Sequence, residues 1–281
     1  MRFDEYAFFD SIDAMNAAHM RTPSLPPVSR LVPTMTSLQS KTSGLDVPQI
    51  LSAAIFDVDG VLLASPHERA WREALGGFAE PALFTTKMYQ SQVAGKPRLS
   101  GALSALQALG VPNAEKQASA YAQRKQERLE ELIDAGAVSA FPDAIRFVKA
   151  IMALGWPIAV ASSSKNANGM MTRVALDEQH TLLDAFDANV CGRDLREGKP
   201  NPEIFLLAAG ELPAAPAHCF VVEDAPAGVE AARAGGMVAL GVARLGDAAS
   251  LWRAGATLVV TSLDEVSIDK LSRGQLDRVS I

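Results

Sequence analysis

Beyond residue 50, apolar residues recur along the chain in short runs, at 50–56, 157–161, 187–191, 218–222, 237–242 and 257–260. The runs show little polar alternation, which is the pattern of strands buried on both faces. Between most of them lie stretches with helical character, at 142–154, 166–176, 201–212 and 225–235. Strand alternating with helix predicts an α/β fold built on a doubly wound parallel sheet. Such sheets bind ligands beyond the carboxyl ends of their strands.

The alternation breaks once. Residues 66–138, between the first and second strands, offer only helical stretches: HERAWREAL, LSGALSALQALG and AEKQASAYAQRKQERLEELI. The last consists of good helix formers, with Ala118, Tyr121, Ala122, Leu129 and Leu132 as its apolar positions. The expected organisation is therefore an α/β core of residues 51–65 and 139–262 with an inserted all-helical cap at 66–138. A cap of this kind can exclude water and supply substrate contacts. Residues 263–281 are expected to be a C-terminal tail. Residues 1–50 include TPSLPPVSRLVPTMTSLQSKTSG, rich in Pro, Ser and Thr, and read as an N-terminal extension with no assignable chemistry.

Composition narrows the function classes. The chain has 281 residues, 48% of them hydrophobic, enough for a sizeable core. A net charge of −6 argues against nucleic acid, whose binders need a clustered basic surface. Small anionic substrates need only a few local cations and stay open. Cys191 and Cys219 sit in apolar runs and read as buried free thiols, which suits a reducing compartment. The N-terminal stretch carries acids early and has no basic segment ahead of an apolar block, so it does not read as a secretion signal. No apolar run approaches the roughly 18 residues of a membrane span. The expectation is a cytoplasmic protein, a monomer or weak oligomer, with no membrane or nucleic-acid partner.

The candidate chemistry lies at the strand ends. The first strand runs into Asp57-Val58-Asp59-Gly60, where two carboxylates stand at the mouth of the core. Buried carboxylates are costly unless paired, hydrogen-bonded or bound to metal. The second strand ends in Ser162, Ser163 and Ser164, followed by Lys165 and Asn166 at the opening of a helix. Hydroxyls beside a helix N-terminus suit an anion. Lys199 lies ahead of a helix begun by proline, and the fourth strand ends in Glu223-Asp224. Singly, each is an ordinary turn, cap or surface residue. Together, Asp57, Asp59, Glu223 and Asp224 offer the hard oxygen donors that Mg²⁺ takes. Ser162 and Lys199 can hold the oxygens of a phosphoryl group, and an aspartate can attack phosphorus.

Four ordered motifs (a DxDG, a serine after the second strand, a lysine and an acidic pair) resemble the haloacid-dehalogenase-like superfamily, over about residues 51–262. The resemblance implies that Asp57 is the nucleophile, that Asp59 protonates the leaving oxygen and then activates the acceptor, and that Ser162 and Lys199 complete the catalytic set. Within that superfamily the chain looks closest to the β-phosphoglucomutase and sugar phosphatase subgroup. HERAWREAL resembles its cap-entry helix, with His67 and Trp71. GKPR resembles its substrate loop, with Arg98, and AQRKQ its cap helix, with Lys125. SSSKN and GVAR, at 162–166 and 241–244, are similar too. The substrate contacts implied are His67, Trp71, Arg98, Lys125, Ser163, Lys165 and Asn166. The function implied is a Mg²⁺-dependent phosphatase acting on a small phosphorylated metabolite, a sugar phosphate. Alternatives are a β-phosphoglucomutase-type mutase and, from another class, a non-catalytic binding or regulatory protein on the same fold. Two departures favour phosphatase over mutase: the linker from Asp59 to His67 is short, and Gly101 stands where the subgroup often carries a hydroxyl.

Overall fold

The computed structural model describes residues 50–280 except Asp247. Six parallel strands form one sheet in the order β5-β4-β1-β6-β7-β8. They are β1 (Ala53–Phe56), β4 (Ile158–Val160), β5 (Ala188–Asn189), β6 (Cys219–Glu223), β7 (Val238–Val242) and β8 (Leu258–Val260). β1 is central, with Ala54 opposite Ile158 on one side and Phe220 on the other. All six expected strands are present.

Side chains alternate between the two faces, and both faces are apolar. Phe56, Val160, Phe220 and Val222 point into one cluster with Phe147 and Ile151 of α5 (Pro142–Ala153). Ile55, Ala159, Val221 and Ala239 point into the other. There they meet Ile204 and Phe205 of α7 (Glu203–Glu211), Val229 of α8 (Pro226–Ala234) and Leu251 of α9 (Ala248–Arg253). Burial on both faces is why the strands read as continuous apolar runs. Proline opens α5 and α8 at a position where a helix has no use for the N–H.

Between β1 and β4 the chain builds α1 (His67–Ala74), a short turn α2 (Thr86–Met88) that runs into a π-helical turn over Tyr89–Val93, α3 (Arg98–Ala108) and α4 (Ala114–Asp134). These helices share their own apolar cluster around Trp71, Phe84, Leu106 and Tyr121. The Tyr121 hydroxyl donates to the Trp71 carbonyl at 2.8 Å, so its buried oxygen is satisfied. Both crossings between core and helices are joined by a small antiparallel pair, β2 (Leu63–Ala64) with β3 (Ser139–Ala140). Strands of two residues carry no legible pattern, and the sequence did not announce them.

Two stretches differ from their expected form. The helix expected over 166–176 is α6 (Ala167–Met171), which stops five residues short. Downstream, the Leu176 amide bonds the His180 carbonyl, while the Asp177 carboxylate accepts the amides of Gln179 and His180 and turns the chain. Residues after β8, expected as a tail, lie on the core. Leu263, Val266 and, in α10 (Ile268–Leu271), Leu271 are buried in the same cluster as Phe56, and the Gly274 carbonyl accepts the Leu51 amide at 2.9 Å.

Phe56 immediately precedes Asp57 and packs edge-on against Phe147 and Phe186 at 6.1 and 5.9 Å. Phe56→Ala should lower the stability of the core by about 3–5 kcal/mol, read from urea unfolding followed by circular dichroism. A loss below about 1 kcal/mol would show that this layer tolerates a cavity and does not anchor the first strand end.

Candidate active site

Asp57 directly follows β1, and its amide still bonds the Val222 carbonyl at 3.0 Å, so its position is fixed by the sheet. Its carboxylate Oδ1 accepts from Lys199 Nζ at 2.6 Å, and Lys199 also pairs with Glu223. All three groups are buried. The Glu223 carboxylate accepts the Ala225 amide at 3.0 Å as well. Burial pushes the Asp57 carboxyl up to about 7 against the pull of Lys199, with Glu223 and Asp59 adding to the rise. Asp224 is likewise raised well above the usual carboxylate range by burial and by the neighbouring Glu223 and Asp57. For Lys199, burial works against the charge, but Asp57 and Glu223 outweigh it and keep the ammonium protonated.

The site thus holds more carboxylates than its ammonium can offset. Asp57, Glu223 and Asp224 each bring an oxygen within 4.8 Å of the others. Gly60, at φ +85°, leaves room for Asp224; a Cβ there would stand 2.0 Å from Asp224 Oδ2. Excess negative charge, clustered oxygens and this cradle fit a hard divalent cation. Since Lys199 and Ala225 already hold Glu223, Asp57 and Asp224 have the freer oxygens. Asp59 is not in that cluster. Its Oδ2 accepts from Ser162 Oγ at 3.4 Å, and its buried Oδ1 has no hydrogen-bond partner among the described residues.

Ser162 is buried at the end of β4, and its Oγ accepts the Ser164 amide at 3.1 Å. Facing it is α1. His67 Nε2 lies 3.5 Å from Asp59 Oδ1, and Nδ1 lies 2.9 Å from Lys125 Nζ of α4. Burial is the main reason that His67 drops to about 4 and Lys125 to about 7. His67 is therefore neutral near pH 7. A Lys125 Nζ–H donated to Nδ1 would leave the imidazole proton on Nε2, toward Asp59. Lys125 also lies 5.1 Å from the Trp71 ring centroid.

A family model for haloacid dehalogenase-like hydrolases matches residues 51–236. This chain belongs to the haloacid dehalogenase-like hydrolases. It is 34% identical to the β-phosphoglucomutase of Mycobacterium bovis over 263 aligned residues, 83% of this chain and 97% of that one. To the fructose-1-phosphate phosphatase of Escherichia coli it is 31% identical, over 67% of this chain and 94% of the other. A solved structure, the archaeal β-phosphoglucomutase of a hyperthermophilic Pyrococcus, is similar with a TM-score of 0.61 at 31% identity, covering 78% of this chain and 96% of that one. Family and relatives make the protein an enzyme.

This hydrolase carries a cavity of about 230 Å³ that takes in Asp57, Asp59, Ser162 and Asp224 from the core and His67, Trp71, Arg98 and Lys125 from the helices. Among the described residues no helix is long and apolar enough to cross a membrane. Of the other expected contacts, Ser163 donates to the Gly95 carbonyl at 3.4 Å, Lys165 pairs with Asp194 at 2.9 Å on an exposed edge, and Asn166 bonds Gln126 of α4. Arg98 lines the cavity from the first turn of α3 with an exposed side chain. The sequence reading missed Tyr89, Lys96 and Arg193, which also line the cavity. Lys96 stood inside the GKPR motif and was legible there; its Nζ bonds Ser104 Oγ at 3.1 Å. Tyr89 is placed by a π-helical turn that no sequence pattern marked.

Lys125 makes stability depend on pH. Folded, it loses its proton near 7, whereas unfolded it keeps it to about 10.5. Between those values the unfolded chain binds more protons, so stability rises with pH, by up to about 1.4 kcal/mol per unit. The stability of the wild type relative to Lys125→Met should therefore increase from pH 7 to pH 9 in urea titrations. A constant difference would mean that Lys125 stays charged in the folded protein.

Proposed function

We propose that this enzyme is a Mg²⁺-dependent phosphatase that acts on a small phosphorylated metabolite, a sugar phosphate, through an aspartyl-phosphate on Asp57. The observation that carries the reading is the meeting of Asp57, Lys199 and Glu223 with Asp224, Asp59 and Ser162 at three neighbouring strand ends. The relatives named as β-phosphoglucomutase and fructose-1-phosphate phosphatase support a phosphorylated sugar as substrate. Asp57 and Asp224 would hold Mg²⁺, which would offset charge on the transferring phosphoryl group.

The residues then divide the work. A carboxylate oxygen of Asp57 attacks phosphorus as the P–O bond to the sugar breaks. Asp59 gives its proton to the departing sugar oxygen. Ser162 and Lys199 hold non-bridging oxygens. In the second half, Asp59 takes a proton from water, the water oxygen bonds phosphorus, and the bond to Asp57 breaks, freeing phosphate and restoring both aspartates. The His67–Lys125 pair keeps Asp59 near a neutral imidazole N–H. The segment from His67 to Asp134 acts as a cap, and Arg98 grips the far end of the substrate with a planar fork of donors. A second reading, a β-phosphoglucomutase-type mutase, is favoured by one observation: Lys96 and Arg98 line the helical side of the cavity while Lys199 stands beside Asp57, so a bisphosphate could be held at both ends.

Asp57→Asn should fold normally and lose turnover by at least about a hundred-fold, because an amide of the same shape is a poor nucleophile. Activity above roughly one per cent of wild type would reject Asp57 as nucleophile. Incubation with β-glucose 1-phosphate, with glucose 6-phosphate and free phosphate both measured, separates the readings. Free phosphate alone supports hydrolysis, and glucose 6-phosphate supports the mutase. No turnover on this or on a broad phosphate-ester panel with Mg²⁺ would reject phosphoryl transfer.

A further inference from the structure

Two residues beyond the end of β7, Arg244 reaches back across the molecule to the loop that carries Asp59. Its Nε donates to the Gly60 carbonyl and its Nη2 to the Val61 carbonyl, each at 3.0 Å. Nη1 donates to Asp143 Oδ2, also at 3.0 Å, and the guanidinium carbon lies 3.7 Å from the centroid of the Phe141 ring. Arg244 and Asp143 are largely buried, with side chains 12% and 8% exposed. Arg244 does not line the cavity that holds the aspartates.

These contacts fall on both connections between core and helices. Gly60 and Val61 lead outward into β2, and Phe141 and Asp143 follow β3 on the return. The Phe141 amide bonds the Leu62 carbonyl at 3.0 Å, so the two connections already touch. Asp143 is itself anchored: the same Oδ2 accepts the Leu263 amide at 2.8 Å and the Ser262 hydroxyl at 3.0 Å. Burial works to raise this carboxyl, but Arg244, Leu263 and Ser262 outweigh it and hold it below the usual carboxylate range, so the pair is charged.

Gly60 is gripped from two sides. Its carbonyl is held by Arg244, and its Cα lies so close to Asp224 that a Cβ would not fit. Asp59 is the preceding residue. Its side chain has only long contacts, Oδ2 at 3.4 Å from Ser162 and Oδ1 at 3.5 Å from His67, and Oδ1 makes no hydrogen bond among the described residues. Side-chain bonds therefore do little to place Asp59, and its backbone must do so. A guanidinium can serve two carbonyls and a carboxylate at once in one plane, which an ammonium cannot.

We propose that Arg244 is the positioning residue for Asp59, fastening the outgoing connection at Gly60–Val61 to the return connection at Phe141–Asp143. The proposal rests on the reading of Asp59 as the proton donor to the leaving oxygen. It makes Arg244 matter most where that proton matters most.

The test is the dependence of kcat/KM on the leaving group, in the full-length enzyme with Mg²⁺. This ratio covers steps up to departure of the alcohol or phenol and is blind to hydrolysis of the aspartyl-phosphate. p-Nitrophenyl phosphate has a leaving group that needs little protonation, whereas a sugar phosphate needs it fully. Arg244→Lys should lose roughly ten- to a hundred-fold on the sugar phosphate, a part of the 10²–10⁴-fold that acid catalysis supplies, and less than about three-fold on p-nitrophenyl phosphate. A merely structural role would lower both alike. Asp59→Asn serves as the reference and should show the same skew, larger. Should Arg244→Lys fail to fold, Asp143→Asn, which leaves Arg244 without its anionic anchor, must show a smaller skew of the same sign. If Asp59→Asn is skewed but the Arg244 and Asp143 variants lose equally on both esters, or not at all, the role of Arg244 is overturned and that of Asp59 stands. If Asp59→Asn itself shows no skew, the reading of Asp59 falls and the proposal with it.

Discussion

The carboxylates at the end of the first strand and of its neighbour β6 are gathered around the buried ammonium of Lys199. It is 1% exposed, sits between Asp57 and Glu223, and lies 4.8 Å from the centroid of the Phe205 ring. Removing one partner from such a cluster leaves an uncompensated buried charge, which costs several kcal/mol. The end of β1, the end of β6 and the loop before α7 must therefore arrive together. The cluster remains unbalanced even when complete, because Asp224 adds a further carboxylate. That residual negative charge, awkward for folding, is what a divalent cation could offset.

Sheet order supplies the geometry. β1 is flanked by β4 on one side and β6 on the other, so the chain winds outward in both directions from it. Asp57 leaves the sheet at that switch point, with Ser162 on one flank and Glu223 on the other. The neighbours of β1 are fixed by pairing along its whole length, from Ala53 opposite Cys219 to Phe56 opposite Val222. An aspartate at this point inherits the rigidity of the core.

Asp59 is held by different means. It lies beyond the sheet, on the connection to the helices, and its neighbours come from elements distant in sequence: His67 and Lys125 on the helical side, Ser162 from β4 and, through the backbone, Arg244 from beyond β7. The two aspartates of one short motif thus answer to different parts of the fold. Asp57 is set by strand pairing and Lys199, and Asp59 by the connections that carry the helices.

By itself the sequence determined the parallel α/β core, because strands buried on both faces must be apolar at every position. It also singled out the candidate site residues: Asp57, Asp59, Ser162, Glu223 and Asp224 interrupt or end such a run, and Lys199 lies in the polar loop ahead of α7. The long helix α4 was legible from its helix formers and apolar spacing. What only the tertiary structure decided are contacts with no local signature. Lys125 reads as one charge on a polar helix until folding buries it against His67. Arg244 reads as the end of a strand motif until the fold brings it to Gly60 and Asp143. The β2–β3 pair is too short to show a period, and the segment after β8 looks like a tail until Leu271 is seen in the core. Periodicity reports which residues face a core, a property of each element alone. Which charges meet depends on how elements far apart in the chain are stacked, and no local pattern records that.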